Sequence, residues 1–231
     1  MKPTKVIISF KTIKILRFFG FLYHVEEACG HPRKETSQDL TYKIIPYFIV
    51  KAMVDIIGQN ATIVILRKID MLSLLELRET PSLDETIPLE NSLRLMETNM
   101  KIFGESYAVF SRRAGYNAAK NIKFPNTITD IIENSSKFAD WRRSMKKLSE
   151  KLLVPVGSRV EQNLLDDGYI TKIYKCPECR GLKTNKPCCY FLSSFIGGII
   201  KRLFNIEVDV DEVRCMALGE EFCEFRVILK R

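Results

Sequence analysis

The sequence predicts an α+β fold, and three observations carry that reading. Apolar residues follow helical spacing up to about residue 152, and beyond it they alternate with polar ones. One long apolar segment, CCYFLSSFIGGIIKRLF (188–204), interrupts the alternating part as a buried helix. Helices come first and strands gather late, which is the order of segregated layers rather than of alternating βαβ units.

Taken in order, KVIISF (5–10) and TIKILRFFGFLYH (12–24) read as a strand and an interfacial helix. GHPRKETSQDL (30–40) is the first break, rich in turn formers. IIPYFIVKAMVDIIG (44–58) is helical after Pro46, and ATIVILRKI (61–69) either extends it or forms a strand. RETPSLDETIPLE (78–90) is a polar connection. Between Pro88 and Ile122, Leu93, Met96, Met100 and Phe103, then Tyr107, Phe110, Ala114 and Ala118, recur near helical spacing. Gly104 and Gly115 interrupt it as tolerated glycines, each costing about 1 kcal/mol against Ala. FPN (124–126) ends that stretch, and residues 127–152 give one or two helices opened by a Thr or Asn cap. RVEQNLLDDGYITKIYKC (159–176) alternates around Asp167-Gly168, a hairpin signal. In the helix at 188–204, Gly197-Gly198 marks close approach to another backbone. VDVDEVRCMALGEEFCEFRVIL (208–229) reads as two strands around Gly219.

Composition narrows the function classes. The chain has 231 residues, 46% hydrophobic and 28% charged, enough for a core without disulfide staples. Its net charge is +8, with Lys2, Lys5, Lys11, Lys14 and Arg17 at the start, yet no run of five basic residues occurs. That pattern reads as a solvated surface rather than a nucleic-acid footprint, so a nucleic-acid partner is not expected. No segment has the unbroken apolar run of a signal peptide or spanning helix, so the expectation is a cytoplasmic protein without membrane partners.

Cysteine usage is the strongest chemical signal. Six of seven cysteines fall between Cys176 and Cys223: Cys176 and Cys179 in a Cys-x2-Cys pair, Cys188 beside Cys189, then Cys215 and Cys223. In a reducing compartment such clustering favours metal over disulfides, with a redox dithiol or plain burial as the alternatives. The histidines, His24 and His31, lie far away in sequence, so a zinc site here is thiolate-rich with room for a carboxylate. A three-residue loop, Gly219 to Glu221, would set Ala217 opposite Cys223 and bring Cys215 onto the same face. A two-residue loop would send the two thiols to opposite faces. Cys176 and Cys179 would be placed near the site by a hairpin of their own.

The segment from CCYFLSSFIGGIIKRLF to VRCMALGEEFCEFRVIL resembles the 4-vinyl reductase domain family, whose end carries Glu-x2-Cys, a glycine turn, then Cys and an aromatic. IFGESYAVFSRRAGYNAAK (102–120) is similar to the family's Phe-Gly-Glu and Gly-containing helices. The resemblance implies a domain over residues 40–231 preceded by an extension, 1–39. Its fold would be a mixed α/β sandwich enclosing an apolar small-molecule pocket, of the type seen in haem-based nitric-oxide sensors and a Golgi tethering subunit. Homodimerisation is common in the family. In the similar sensor domains of phenol-responsive transcription activators, three cysteines and a glutamate hold zinc. That pattern maps onto Cys189, Glu212, Cys215 and Cys223, with Cys176, Cys179 and Cys188 as possible further metal or redox residues. Three positions along a regular strand reverse the face, so Glu212 requires a turn or bulge before Cys215. The sensor pocket's His has no counterpart here, and Trp141, the single Trp, reads as packing.

The resulting expectation is a zinc-stabilised binder of a hydrophobic small molecule, a sensor or carrier whose zinc is structural. The alternative is a reductase acting on a tetrapyrrole vinyl group. Hydride transfer needs a donor cofactor, and no G-x-G-x-x-G or Walker-type loop appears, so no catalytic residues are expected.

Overall fold

Amphipathic stripes become helices wherever their apolar faces find a sheet or one another. The computed structural model describes residues 39–124, 128 and 141–230. The elements expected at 5–10 and 12–24, both histidines, Cys29 and most of 127–140 lie outside the described residues. A short antiparallel pair, β1 (Leu40–Tyr42) and β2 (Thr86–Pro88), brackets α1 (Ile44–Ile57), α2 (Gln59–Lys68) and the single turn α3 (Ser73–Glu76). Then follow α4 (Leu89–Phe103), α5 (Tyr107–Asn121), α6 (Trp141–Leu153), β3 (Arg159–Leu164) and β4 (Gly168–Tyr174). α7 (Tyr190–Phe204), β5 (Val208–Arg214) and β6 (Cys223–Leu229) complete the order. The α+β reading holds: helices dominate the first half and an antiparallel sheet of order β3-β4-β6-β5 the last part.

Several details differ from expectation. Residues 61–69 extend the helical region as α2 instead of forming a strand, because Gly58 at φ 83° ends α1 and restarts the helix. β1 and β2 fall in segments that read as a break and a connection; three-residue strands carry too little periodicity to be seen. α4 and α5 are separate helices, divided by a 3-10 turn at Gly104–Ser106.

The layers stack on the inner face of the sheet. Tyr169, Thr171 and Ile173 of β4 and Cys223, Phe225 and Val227 of β6 are all buried on that face. α7 lies across them, α5 packs on α7, and α1 packs on α5. The α5–α7 crossing depends on two glycines. A Cβ at Gly198 would meet the Ala119 Cβ at 2.6 Å, which is the close approach expected of the Gly197-Gly198 pair. Gly115, expected only as a tolerated interruption, would put a Cβ 2.2 Å from the Phe191 carbonyl oxygen. Backbone cannot step aside as a flexible side chain does. Gly115→Ala is therefore expected to cost about 3 kcal/mol, the upper end of overpacking penalties. Urea unfolding reads it directly; an unchanged midpoint would mean the two helices do not bear on each other there.

Trp141 is partly buried, with its ring 5.7 Å from that of Tyr169, so it packs. Among the described residues, no helix is long and apolar enough to cross a membrane.

Candidate metal centre and the adjoining pocket

Three chain segments converge at one end of the sheet. The first leaves β4, where Ile173 pairs with Cys223, and turns at once with Lys175 at φ 54°. This tight turn, closed by the Arg180 N–H on the Cys176 carbonyl at 3.1 Å, aims Cys176 and Cys179 inward. It is not the hairpin expected for this pair. The second segment is the start of α7, where Cys188 and Cys189 precede Tyr190. The third is the β5–β6 connection carrying Cys215 and Cys223.

That connection departs from the three-residue loop expected from parity. β5 ends at Arg214, paired with Glu224, and residues 215–222 bridge to Cys223 through a 3-10 turn at Met216–Leu218. Ala217 sits in that turn instead of opposite Cys223, accepting the Thr184 N–H at 2.9 Å. Cys215 still faces inward because Arg214 points outward and side chains alternate. The ladder shifts register between Glu212 and Arg214, leaving Val213 as a bulge. This extra residue lets Glu212 and Cys215 turn to the same side.

The six thiols are buried and in mutual contact. Sγ–Sγ distances are 3.2 Å for Cys179–Cys223, 3.7 Å for Cys176–Cys189 and 3.8 Å for Cys189–Cys223. Cys179–Cys215 follows at 3.9 Å and Cys188–Cys215 at 4.0 Å. Tetrahedral zinc with bonds of ~2.3 Å spaces its sulfurs ~3.8 Å apart. Four cysteines thus cluster in a geometry that can hold a metal ion, and they do so in two overlapping ways: Cys176, Cys179, Cys189 and Cys223, or Cys179, Cys188, Cys189 and Cys215. A third set within 4.8 Å combines Cys189, Glu212, Cys215 and Cys223.

Glu212 reaches this group from β5. Its Oε2 accepts the Cys189 N–H at 2.8 Å, while its buried Oε1 has no hydrogen-bond partner among the described residues. An orphaned carboxylate oxygen beside thiols is costly unless something positive meets it. Burial, then the charge of Cys215, pushes this carboxyl up to about 8. Burial likewise pushes the Cys189 thiol well above its usual value. Both directions follow from crowding acidic donors together away from water.

A second acid escaped the sequence reading. Glu178, inside the Cys-x2-Cys pair, is fully buried and caps α7 from a distance. Its Oε1 accepts the Phe191 N–H at 3.0 Å and its Oε2 the Leu192 N–H at 2.8 Å. These are donors the first helical turn leaves without intrahelical partners. Burial raises its carboxyl well above the ordinary range, the charge of Cys176 adding, against the pull of the two N–H groups.

Beside the centre lies an apolar cavity of about 60 Å³, bounded by Tyr42, Met145, Leu148, Ile173, Phe191 and Ile196 among others. Pro177 and Leu192 also line it, so its wall includes the turn that bears Cys176 and Cys179 and the first turn of α7. Thr41 fixes that wall by donating its hydroxyl to the Pro177 carbonyl at 3.0 Å. Thr171 lines the cavity too, and its buried Oγ1 has no hydrogen-bond partner among the described residues. Its polarity was not legible in the alternating β4 pattern, where Thr reads as an ordinary strand former.

Comparison with known proteins places this region in context. Residues 169–229 match the family model of the 4-vinyl reductase domain. Two uncharacterized proteins of Methanocaldococcus jannaschii are 41% identical over 59 residues and 36% identical over 58. Each alignment takes in 25% of this chain, and it spans 37% and 32% of the respective relative. Among solved structures, one from a study of haem distortion in the H-NOX family aligns with a TM-score of 0.50 at 16% identity. It covers 81% of this chain and 94% of that one, a likeness of fold. The phenol-responsive sensory domain of the transcription activator PoxR, with phenol, aligns with a TM-score of 0.47 at 14% identity, over 63% of this chain and 77% of that one.

Proposed function

We propose that residues 40–231 form a zinc-stabilised domain that binds a hydrophobic small molecule, as a sensor or carrier, with the metal in a structural role. One observation carries the reading: the cavity and the thiol centre are built on the same two segments, the turn at 176–179 and the start of α7. A metal that locks those segments also sets the cavity wall. The donors fit zinc in number, spacing and softness. As a single-ion site, Cys189, Glu212, Cys215 and Cys223 would satisfy the orphaned Glu212 Oε1. With four protein donors the site is closed, which is the structural pattern; catalytic zinc keeps an open position. Thiolate ligation suits a reducing, cytoplasmic setting. A second copy of the chain is the proposed protein partner, to be checked by light scattering.

The cavity favours an apolar ligand with one hydrogen-bonding group. Its volume corresponds to space on the order of four waters, so the ligand is small or displaces side chains on entry. Thr171 supplies the polar contact. Thr171→Val should stabilise the free protein by about 1 kcal/mol, since it removes an unsatisfied buried hydroxyl. It should also weaken the ligand about tenfold, or ~1.4 kcal/mol. Thermal melts with and without ligand measure both; equal affinity in the variant would remove Thr171 from the site.

Native mass spectrometry of the purified protein tests the whole reading. Zinc and an apolar small molecule should be carried together, and chelation should release both. A chain that is metal-free as purified without chelator, or a ligand retained after complete zinc removal, would overturn it.

A further inference from the structure

One zinc ion uses ~4 donors, and here seven groups converge. The two all-thiol sets are complementary in a specific way. Together they include all six clustered cysteines, and they have two in common, Cys179 and Cys189. Two tetrahedra that share an edge require six donors with two held in common, and this set meets that requirement.

We infer that the centre is binuclear: two zinc ions bridged by the Cys179 and Cys189 thiolates, with Cys176 and Cys223 terminal on one ion and Cys188 and Cys215 on the other. This deepens the proposed metal site and rests on it. Each cysteine pair in the sequence then splits between roles. The 176/179 turn gives one terminal donor and one bridge, the 188/189 pair does the same for the other ion, and the β5–β6 connection gives one terminal donor to each.

Contacts single out the bridges. Cys179 touches a terminal donor of each ion, Cys223 at 3.2 Å and Cys215 at 3.9 Å. Cys189 touches Cys176 at 3.7 Å and Cys223 at 3.8 Å, and belongs to the Cys188–Cys215 set as well. Pairing the Glu212 set with either thiol set fails on the same contacts. It would make Cys179 a terminal donor on one ion while it touches Cys215 or Cys223 on the other. With bonds of ~2.3 Å, terminal donors on different ions of an edge-sharing pair stand roughly 6 Å apart. In the arrangement inferred, the close cross pair is Cys215 with Cys223, within 4.8 Å, and the 215–222 connection lets it widen. Glu212 keeps its bond to the Cys189 N–H and orients a bridging residue. Six thiolates and two dications sum to a charge of about −2, the same as three thiolates and a carboxylate around one.

The test uses the unmodified full chain, so no variant has to fold. Zinc-replete protein, dialysed free of loose metal, should contain two zinc ions per chain and no acid-labile sulfide. After exchange into cadmium-113, NMR should show two resonances split by coupling through the shared thiolates. Cys188→Ser and Cys176→Ser, each removing a terminal donor, should lower the count toward one. One ion per chain and a single uncoupled cadmium resonance would overturn the binuclear assignment and leave the single-ion site standing. No bound metal, or iron with stoichiometric sulfide, would overturn both.

Discussion

Stripping the metal is expected to lower the thermal midpoint by on the order of 10 °C and to open residues 189–229 before the rest of the domain. The centre joins three segments that the sheet alone does not tie: the exit of β4, the start of α7 and the β5–β6 connection. Binding free energy at such a site is folding free energy, with apparent values of ~10–16 kcal/mol in small zinc peptides. This domain has its own large core from Ile49 and Met53 through Phe191 and Phe225, so part of that sum is not needed to fold it. A loss of ~3–5 kcal/mol is the reasonable remainder, and at ~2–4 °C per kcal/mol for this chain length it gives the stated shift. Hydrogen exchange on the chelated protein locates the damage. If residues 189–229 stay as protected as in the metal-bound form, the structural role of the metal fails.

Much of this was legible in the sequence, and what was not shares a cause. Strong periodicity revealed α1, α4, α5 and α7 and the alternating strands, because those faces are buried along their whole length. β1 and β2 were missed because Leu40–Tyr42 and Thr86–Pro88 are too short to alternate visibly. Parity put Cys215 and Cys223 on the same face, though through an eight-residue connection and not the three-residue loop assumed. The bulge that Glu212 demanded follows from strand geometry and one spacing. Gly115 looked like a local cost, yet its role depends on Phe191, 76 positions away (191 − 115), which one-dimensional spacing does not reveal. The role of Cys176 and Cys179 was open for the same reason. Their positions depend on the Ile173–Cys223 pairing, a long-range contact.

Glu178 is the clearest case, and its replacement should be among the most damaging single changes. Read as sequence, it is only the second x of Cys-x2-Cys. In the fold it is a fully buried carboxylate that receives two backbone N–H groups of α7 and, more loosely at 3.5 Å, the hydroxyl of Ser111 on α5. It therefore joins the turn bearing Cys176 and Cys179 to the helix bearing Cys189, independently of any metal. Glu178→Ala leaves the Phe191 and Leu192 N–H groups without acceptors in a buried place and opens a cavity beside them. Removing one partner of a buried charged network costs ~3–5 kcal/mol. Glu178→Gln separates the contributions. It keeps the shape and one accepting oxygen while losing the charge that meets the helix N-terminus, worth up to ~2 kcal/mol when buried. The expected order of stability is wild type, then Gln, then Ala, measured by urea unfolding on zinc-loaded protein. The Ala variant should also release zinc more readily to a chelator, because the turn and the helix no longer hold their thiols in register. If Glu178→Ala unfolds at the wild-type midpoint and retains zinc equally well, the carboxylate neither caps α7 nor positions the centre.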